Sequence, residues 1–146
     1  MSAQRIAIVT GAARGQGAAI VRRLRTDGFL VAAADVLVEE LRAGVDALGD
    51  PGVMAVTLDV TSAQQWSAAV ADVVEKFSGV TALVNNAGVL HRATLSDETP
   101  AGFERSWRVN CLGPFLGIQA VLERLRGSAG AAIVNTCSTG AIRPFP

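Results

Sequence analysis

Thr10 to Gly17 read TGAARGQG and follow directly on the apolar run Ile6–Val9. That order describes a short buried strand ending in a glycine turn, and a turn that opens a helix near Gly15. The first N–H groups of a helix have no partner inside it, and the dipole there is positive, so an anion fits. Glycines let the backbone come close to phosphate oxygens. The spacing is G-x-x-x-G-x-G (Gly11, Gly15, Gly17), not the commoner G-x-G-x-x-G. On the triplet alone, a plain turn is the other, lesser reading. The next apolar run, Leu30–Ala34, is closed by Asp35, and a carboxylate at that place suits a ribose diol. Turn and carboxylate together point to a bound pyrophosphate and its ribose.

The rest of the chain repeats this alternation. A strand over Arg5–Val9 precedes a helix from Gly15 with Ala18, Val21 and Leu24 on one face, stopped by Gly28. Leu30–Ala34 is the second strand. Leu41, Val45 and Leu48 form the next stripe, closed by the turn Gly49-Asp50-Pro51-Gly52. Val53–Leu58 is the third strand. Ser62 is placed to cap a helix whose face is Trp66, Ala69/Val70, Val73/Val74 and Phe77, with Trp66 and Phe77 in the core. Val80–Val84 is the fourth strand, a helical region runs from about Pro100 to Arg126, and Ala131–Asn135 is the fifth strand. Continuous apolar strands between amphipathic helices predict an α/β domain, a parallel sheet covered on both faces, over 1–146. Pro114 stands four residues after Asn110 and removes the N–H that would bond the Asn110 carbonyl. A kink or local widening of the helix is expected there.

Composition narrows the function. The chain has 146 residues, half of them hydrophobic, enough for a packed core. Its 13 basic and 13 acidic residues cancel, which argues against a nucleic-acid partner. Arg22, Arg23 and Arg25 read as the solvated face of one helix. Cys111 and Cys137 read as buried thiols in a reducing compartment, with no disulfide framework. His91 has no neighbouring histidine, so no metal is expected. No apolar run is long enough for a membrane span, and MSAQR is no signal peptide, so a cytoplasmic location is expected.

In a parallel sheet of this kind, ligands sit beyond the carboxyl ends of the strands. The sequence places the glycine turn, Asp35, Asp59-Val60, Asn85-Asn86-Ala87-Gly88 and Thr136-Cys137-Ser138 at successive strand ends. Polar, glycine-rich loops are common in α/β proteins, which accounts for one such cluster better than for all of them.

With these motifs the chain resembles the classical short-chain dehydrogenase/reductases. The resemblance rests on TGAARGQG, Asp35, Asp59-Val60, NNAG at Asn85–Gly88, Asn110 within RVNCLGPF and Ser138 within IVNTCS. It implies a doubly wound, Rossmann-type sheet and an NAD(P)-dependent oxidoreductase. Gly11, Arg14, Gln16 and Gly17 would then hold the pyrophosphate, and Asp35 with Val36 the adenosine ribose. Asp59 and Val60 would line the adenine pocket, and Asn86, Ala87 and Gly88 would support the cofactor from the fourth strand. Asn110 and Ser138 match the family's catalytic Asn and Ser. The substrate would be a small carbonyl compound or alcohol, and a homo-oligomer is expected. Asp35 favours NAD over NADP. Arg14 is open between contact with a 2′-phosphate and contact with pyrophosphate or solvent. His91 and Arg92, after NNAG, read as a solvated loop.

One departure is severe. The family's general acid/base is a Tyr in a Y-x-x-x-K motif after the Ser. The chain contains no Tyr, and its sole lysine is Lys76. The expectation is therefore an N-terminal portion of such an enzyme, incomplete at its C-terminal side and inactive alone. A nucleotide-binding fragment without turnover, or a structural subunit that pairs through the uncovered edge of its fifth strand, are the alternatives.

Overall fold

A computed structural model describes residues 4–141, so the ends of the expected 1–146 unit lie outside the described residues. Strands β1 (Ile6–Thr10), β2 (Leu30–Asp35), β3 (Val53–Thr57), β4 (Ala82–Asn85) and β5 (Ala132–Asn135) form one sheet in the order β3-β2-β1-β4-β5. Every pair is parallel. Ile6 stands opposite Leu30, Ala7 opposite Ala82, Val31 opposite Val53, and Asn85 opposite Asn135. The strands are joined by α1 (Gly15–Thr26), α2 (Val38–Leu48), α3 (Ala63–Phe77), α4 (Pro100–Trp107) and α5 (Gly113–Arg126). A π-helical turn over Arg108–Leu112 sits between α4 and α5.

The chain reverses its direction of travel across the sheet between β3 and β4. Crossovers of one hand then put helices on opposite faces. Side chains alternate along each strand, so each face has its own core. Ile6, Ile8, Ala32, Ala34 and Leu83 pack with Trp66, Val70, Val73 and Phe77 of α3 and with Val121 and Leu125 of α5. Val9, Val31, Ala33 and Val84 pack with Val21 of α1 and Leu41 of α2. Trp66 and Phe77 are core residues, as their spacing predicted. The expected Ser62 cap is present: its hydroxyl accepts from the Gln65 N–H.

The helical region expected from Pro100 to Arg126 is interrupted where Pro114 predicted it. The Gly113 N–H bonds to the Arg108 carbonyl, an i to i+5 bond, so the helix widens by one residue there. Pro114 has no N–H for the Asn110 carbonyl, and a π-turn absorbs the lost bond without breaking the helix. On α5, Gly113 and Gly117 let the helix come close. A Cβ on Gly117 would meet the Trp66 ring at 2.7 Å, and one on Gly113 would meet Val60 at 2.8 Å.

Two expectations are corrected. Cys111 and Cys137 are exposed, not buried. Cys111 points outward from the π-turn. Cys137 follows β5, an outer strand with every residue exposed. Arg25 is not part of a solvated face. Its Nε and Nη2 each donate to Asp50 at 2.9 Å, its Nη1 donates to the Phe29 carbonyl, and its side chain is largely covered. This fork ties the end of α1 to the turn before β3. Arg22 and Arg23 are exposed as expected.

The hydrogen bond from Arg25, with a further one from the Gly52 N–H, holds the Asp50 carboxyl below its ordinary value of 3.8. A lowered acid pKa adds stability that is present above 3.8 and is lost as pH falls through the folded-state value. Asp50→Asn should therefore be less stable than the parent near neutral pH. The gap should shrink once pH drops below about 4. Urea midpoints of both proteins at neutral pH and at pH about 3 check this; an equal gap at both would refute it.

Candidate functional site

The carboxyl ends of β1, β2 and β4 open onto a cleft of about 420 Å³. That volume lies in the range of small-molecule sites. Its place, where neighbouring crossovers diverge on either side of β1, is where open parallel sheets bind ligands. Gly11, Arg14, Gln16, Gly17, Asp35, Val36, Asp59, Val60, Asn86, Ala87 and Gly88 line it together, and the sequence had placed all of these at one site. Leu37, Leu58, Val89 and Val109 also line it and had not been singled out.

The glycine turn is built by contact as well as by torsion. Gly11 and Gly15 have φ of 66° and 56°, in the left-handed region that favours glycine. Gly17 is different: a Cβ there would lie 2.0 Å from the Gly11 carbonyl oxygen. The turn is folded so tightly onto α1 that only hydrogen fits. The first turn of α1 has no side-chain cap and no acidic residue, whereas Ser62 and Thr99 cap α3 and α4. The start of α1 thus faces the cleft without a side-chain acceptor or an anion of its own.

Asp35 is aimed by the backbone. One carboxylate oxygen accepts from Ala13 N–H at 2.9 Å and the other from Leu37 N–H at 3.1 Å. Each oxygen keeps a lone pair for a further donor. Asp59 accepts from the Thr61 N–H and hydroxyl, which fixes the loop leading to the Ser62 cap.

Thr10, the first residue of the TGAARGQG motif, ties β1 to β4. Its buried hydroxyl accepts from the N–H groups of Asn86 and Ala87, each at 3.0 Å. The Asn86 amide returns bonds to the Thr10 and Gly11 carbonyls. Asn85 continues the network sideways, donating to Asn135 on β5 at 2.9 Å.

Asn110 and Ser138 do not line the cleft. The Asn110 carboxamide accepts from Val89 N–H and donates to Val89 C=O, both at 2.9 Å. It clamps the backbone just beyond NNAG, and Val89 carries that clamp to the cleft wall. Ser138 is exposed beyond β5, and its oxygen accepts from Gly140 N–H. His91 pairs with Glu98 at 3.3 Å, within the loop that joins β4 to α4. Among the described residues there is no group of His, Cys, Asp and Glu arranged to hold a metal ion. No described helix is long and apolar enough to cross a membrane.

Glycine cradle, uncapped helix start and aimed carboxylate are the features with which α/β folds bind dinucleotides. The family model for short chain dehydrogenase matches residues 5–146. The chain belongs to that family. The 3-alpha-(or 20-beta)-hydroxysteroid dehydrogenase of Mycobacterium tuberculosis is 40% identical over 134 residues, covering 92% of this chain and 51% of that protein. Trans-4-hydroxycyclohexanecarboxylate dehydrogenase of Sinomonas cyclohexanicum is 34% identical, covering 98% of this chain and 58% of the relative. Among solved structures, a 3-ketoacyl-(acyl-carrier-protein) reductase from Brucella melitensis complexed with NADH superposes with a TM-score of 0.91 at 30% identity. The match covers 97% of this chain and 60% of that one. The chain thus spans just over half the length of these relatives.

Proposed function

We propose that these residues form the nucleotide-binding half of an NAD-dependent oxidoreductase acting on a small secondary alcohol or ketone. The observation that carries this reading is Asp35, held by two backbone N–H groups at the mouth of a cleft with a glycine cradle at its other side. The relatives support it: their names describe dehydrogenases and a reductase, and one was solved with NADH. The nicotinamide, when bound, supplies or accepts the hydride.

The chain's own residues bind and orient. N–H groups at the start of α1 would hold the pyrophosphate, and the remaining lone pairs of Asp35 would accept from the ribose diol. Asp59 and Val60 would border the adenine, and Asn86, Ala87 and Gly88 would wall the path toward the nicotinamide. Asn110 acts through Val89, fixing that wall, while its backbone carbonyl, relieved of its helical donor by Pro114, is available to hold a water. Ser138 is assigned to the substrate oxygen. No residue here can serve as the phenolic acid of the family, because the chain has no Tyr. Lys76 stands in the last turn of α3, which runs back from the cleft end of the sheet, so it cannot replace the missing ammonium. The 146 residues alone therefore bind nucleotide without turning over. Self-association belongs to the same reading and is supported by exposed Phe103, Trp107 and Phe115 along α4 and α5.

The test is a titration of the chain and of Asp35→Ala with NAD⁺ and NADP⁺, followed by mixing with NADH and simple ketones. The parent should prefer NAD⁺, because the carboxylate accepts from a diol and repels a 2′-phosphate. Removing a hydrogen bond to a charged group should cost the variant at least about tenfold in NAD⁺ affinity. Its discrimination against NADP⁺ should narrow as well. No hydride transfer should be seen. Tighter binding of NADP⁺ by the parent would overturn the cofactor choice, and turnover by the chain would overturn the assignment of the missing acid.

A further inference from the structure

Among the described residues the cleft has one cation in its wall, and that cation is already engaged. Arg14 is the sole described basic residue lining it; the other charged residues in the described lining are Asp35 and Asp59. Arg14 is the residue just before α1, with extended backbone, and its side chain is three-quarters exposed. Its Nη1 lies 3.9 Å from Oε2 of Glu40, in the first turn of α2. Glu40 does not line the cleft. It reaches the site only through Arg14.

We infer that Glu40 is a positioning residue for cofactor choice: by pairing with Arg14 it neutralises the cation that a 2′-phosphate would need. This rests on the nucleotide reading given above. With the pyrophosphate held by the N–H groups at the start of α1, and Arg14 turned to Glu40 and solvent, NAD⁺ asks nothing of Arg14, so the pair leaves NAD⁺ binding untouched. A 2′-phosphate would enter beside the Asp35 carboxylate and find an ion pair of no net charge. It would have to draw Arg14 away from Glu40 before gaining any attraction. The pair is solvated, and pairs of that kind are individually weak. The fold does not depend on it, and its effect is a bias on a ratio of affinities.

The experiment measures NAD⁺ and NADP⁺ dissociation constants by calorimetry for the whole chain and for Glu40→Gln, Arg14→Ala and the double variant, at low and moderate salt. Glu40→Gln should tighten NADP⁺ by about threefold at low salt, the scale of one exposed ion pair, and leave NAD⁺ unchanged. The gain should fade at moderate salt. In the Arg14→Ala background the same substitution should give no gain, because Glu40 then has nothing to hold. A gain that persists without Arg14 would show plain repulsion by Glu40 and overturn the inference. Equal shifts for both nucleotides, or no shift for either, would overturn it too. A parent chain that binds neither nucleotide would instead defeat the underlying cofactor reading, and this inference with it.

Discussion

Gly17→Ala should abolish measurable nucleotide binding and lower the stability of the domain. A Cβ at this position would stand 2.0 Å from the Gly11 carbonyl oxygen, 2.7 Å from the Gly11 carbonyl carbon and 2.8 Å from the Asn86 amide nitrogen. Two of these neighbours are backbone, and the third is bonded to the Thr10 and Gly11 carbonyls. None can move aside cheaply. The turn must open, and opening it swings Gly11 away from Ala87, against whose backbone it packs at the cleft. Overpacking of this kind costs about 1–3 kcal/mol, occasionally more. The functional loss is larger, because the start of α1 no longer points at one place in the cleft. A fall of at least about a hundredfold in NAD⁺ affinity is expected, since misplacement by an ångström has that scale of effect at organised sites.

Gly15→Ala supplies the contrast. Gly15 has φ of 56° and no neighbour within 4 Å of a built Cβ. Its cost is torsional, about 1–2 kcal/mol, and an Asn at the same place should recover part of it. Urea unfolding and NAD⁺ titration of both variants distinguish contact from torsion. Equal losses at the two glycines would mean that the close approach at Gly17 is unimportant.

The difference between these glycines marks how far the sequence could be read. The strands and helices were legible because their apolar periods are local. The widened helix was legible because a proline states which hydrogen bond is missing. The cleft residues were legible for a similar reason: each sits in a short motif at the end of its own strand, and the parallel order of the sheet gathers those ends. What the sequence hid were contacts between motifs. Asn110 matches a family pattern, and the pattern does not announce that its side chain clamps Val89, 21 residues away. Arg25 was placed with its neighbours on α1, yet it faces Asp50, 25 residues on. Leu58, Val89 and Val109 line the cleft as ordinary apolar residues, and nothing in their type distinguishes them from core. The exposure of both cysteines depends on which face of the π-turn and which side of β5 is covered, and that is a property of packing.

Thr10 is the strongest case of a contact the sequence could not announce, and its removal is the second large effect expected. Thr10→Val keeps the shape of the side chain and deletes the hydroxyl. The residue is 1% exposed, so water cannot stand in for it. The N–H groups of Asn86 and Ala87 then lose their shared acceptor, and the Val84 carbonyl loses a long contact of 3.4 Å. A buried donor left unpaired costs about 1–3 kcal/mol, so two of them should lower stability by roughly 2–6 kcal/mol. Part of that is relieved if β4 shifts away from β1. The shift would carry Asn86 off the Thr10 and Gly11 carbonyls and slacken the glycine turn, so NAD⁺ affinity should fall along with stability. Thr10→Ser keeps the acceptor and should restore both, less the small loss from a missing methyl group. The comparison needs urea unfolding and NAD⁺ titration on the parent and the two variants. If the Val protein matched the parent in stability, or if Ser failed as badly as Val, the hydroxyl would not be the link between β1 and β4, and the cleft would have to be held together by the packing of its apolar walls.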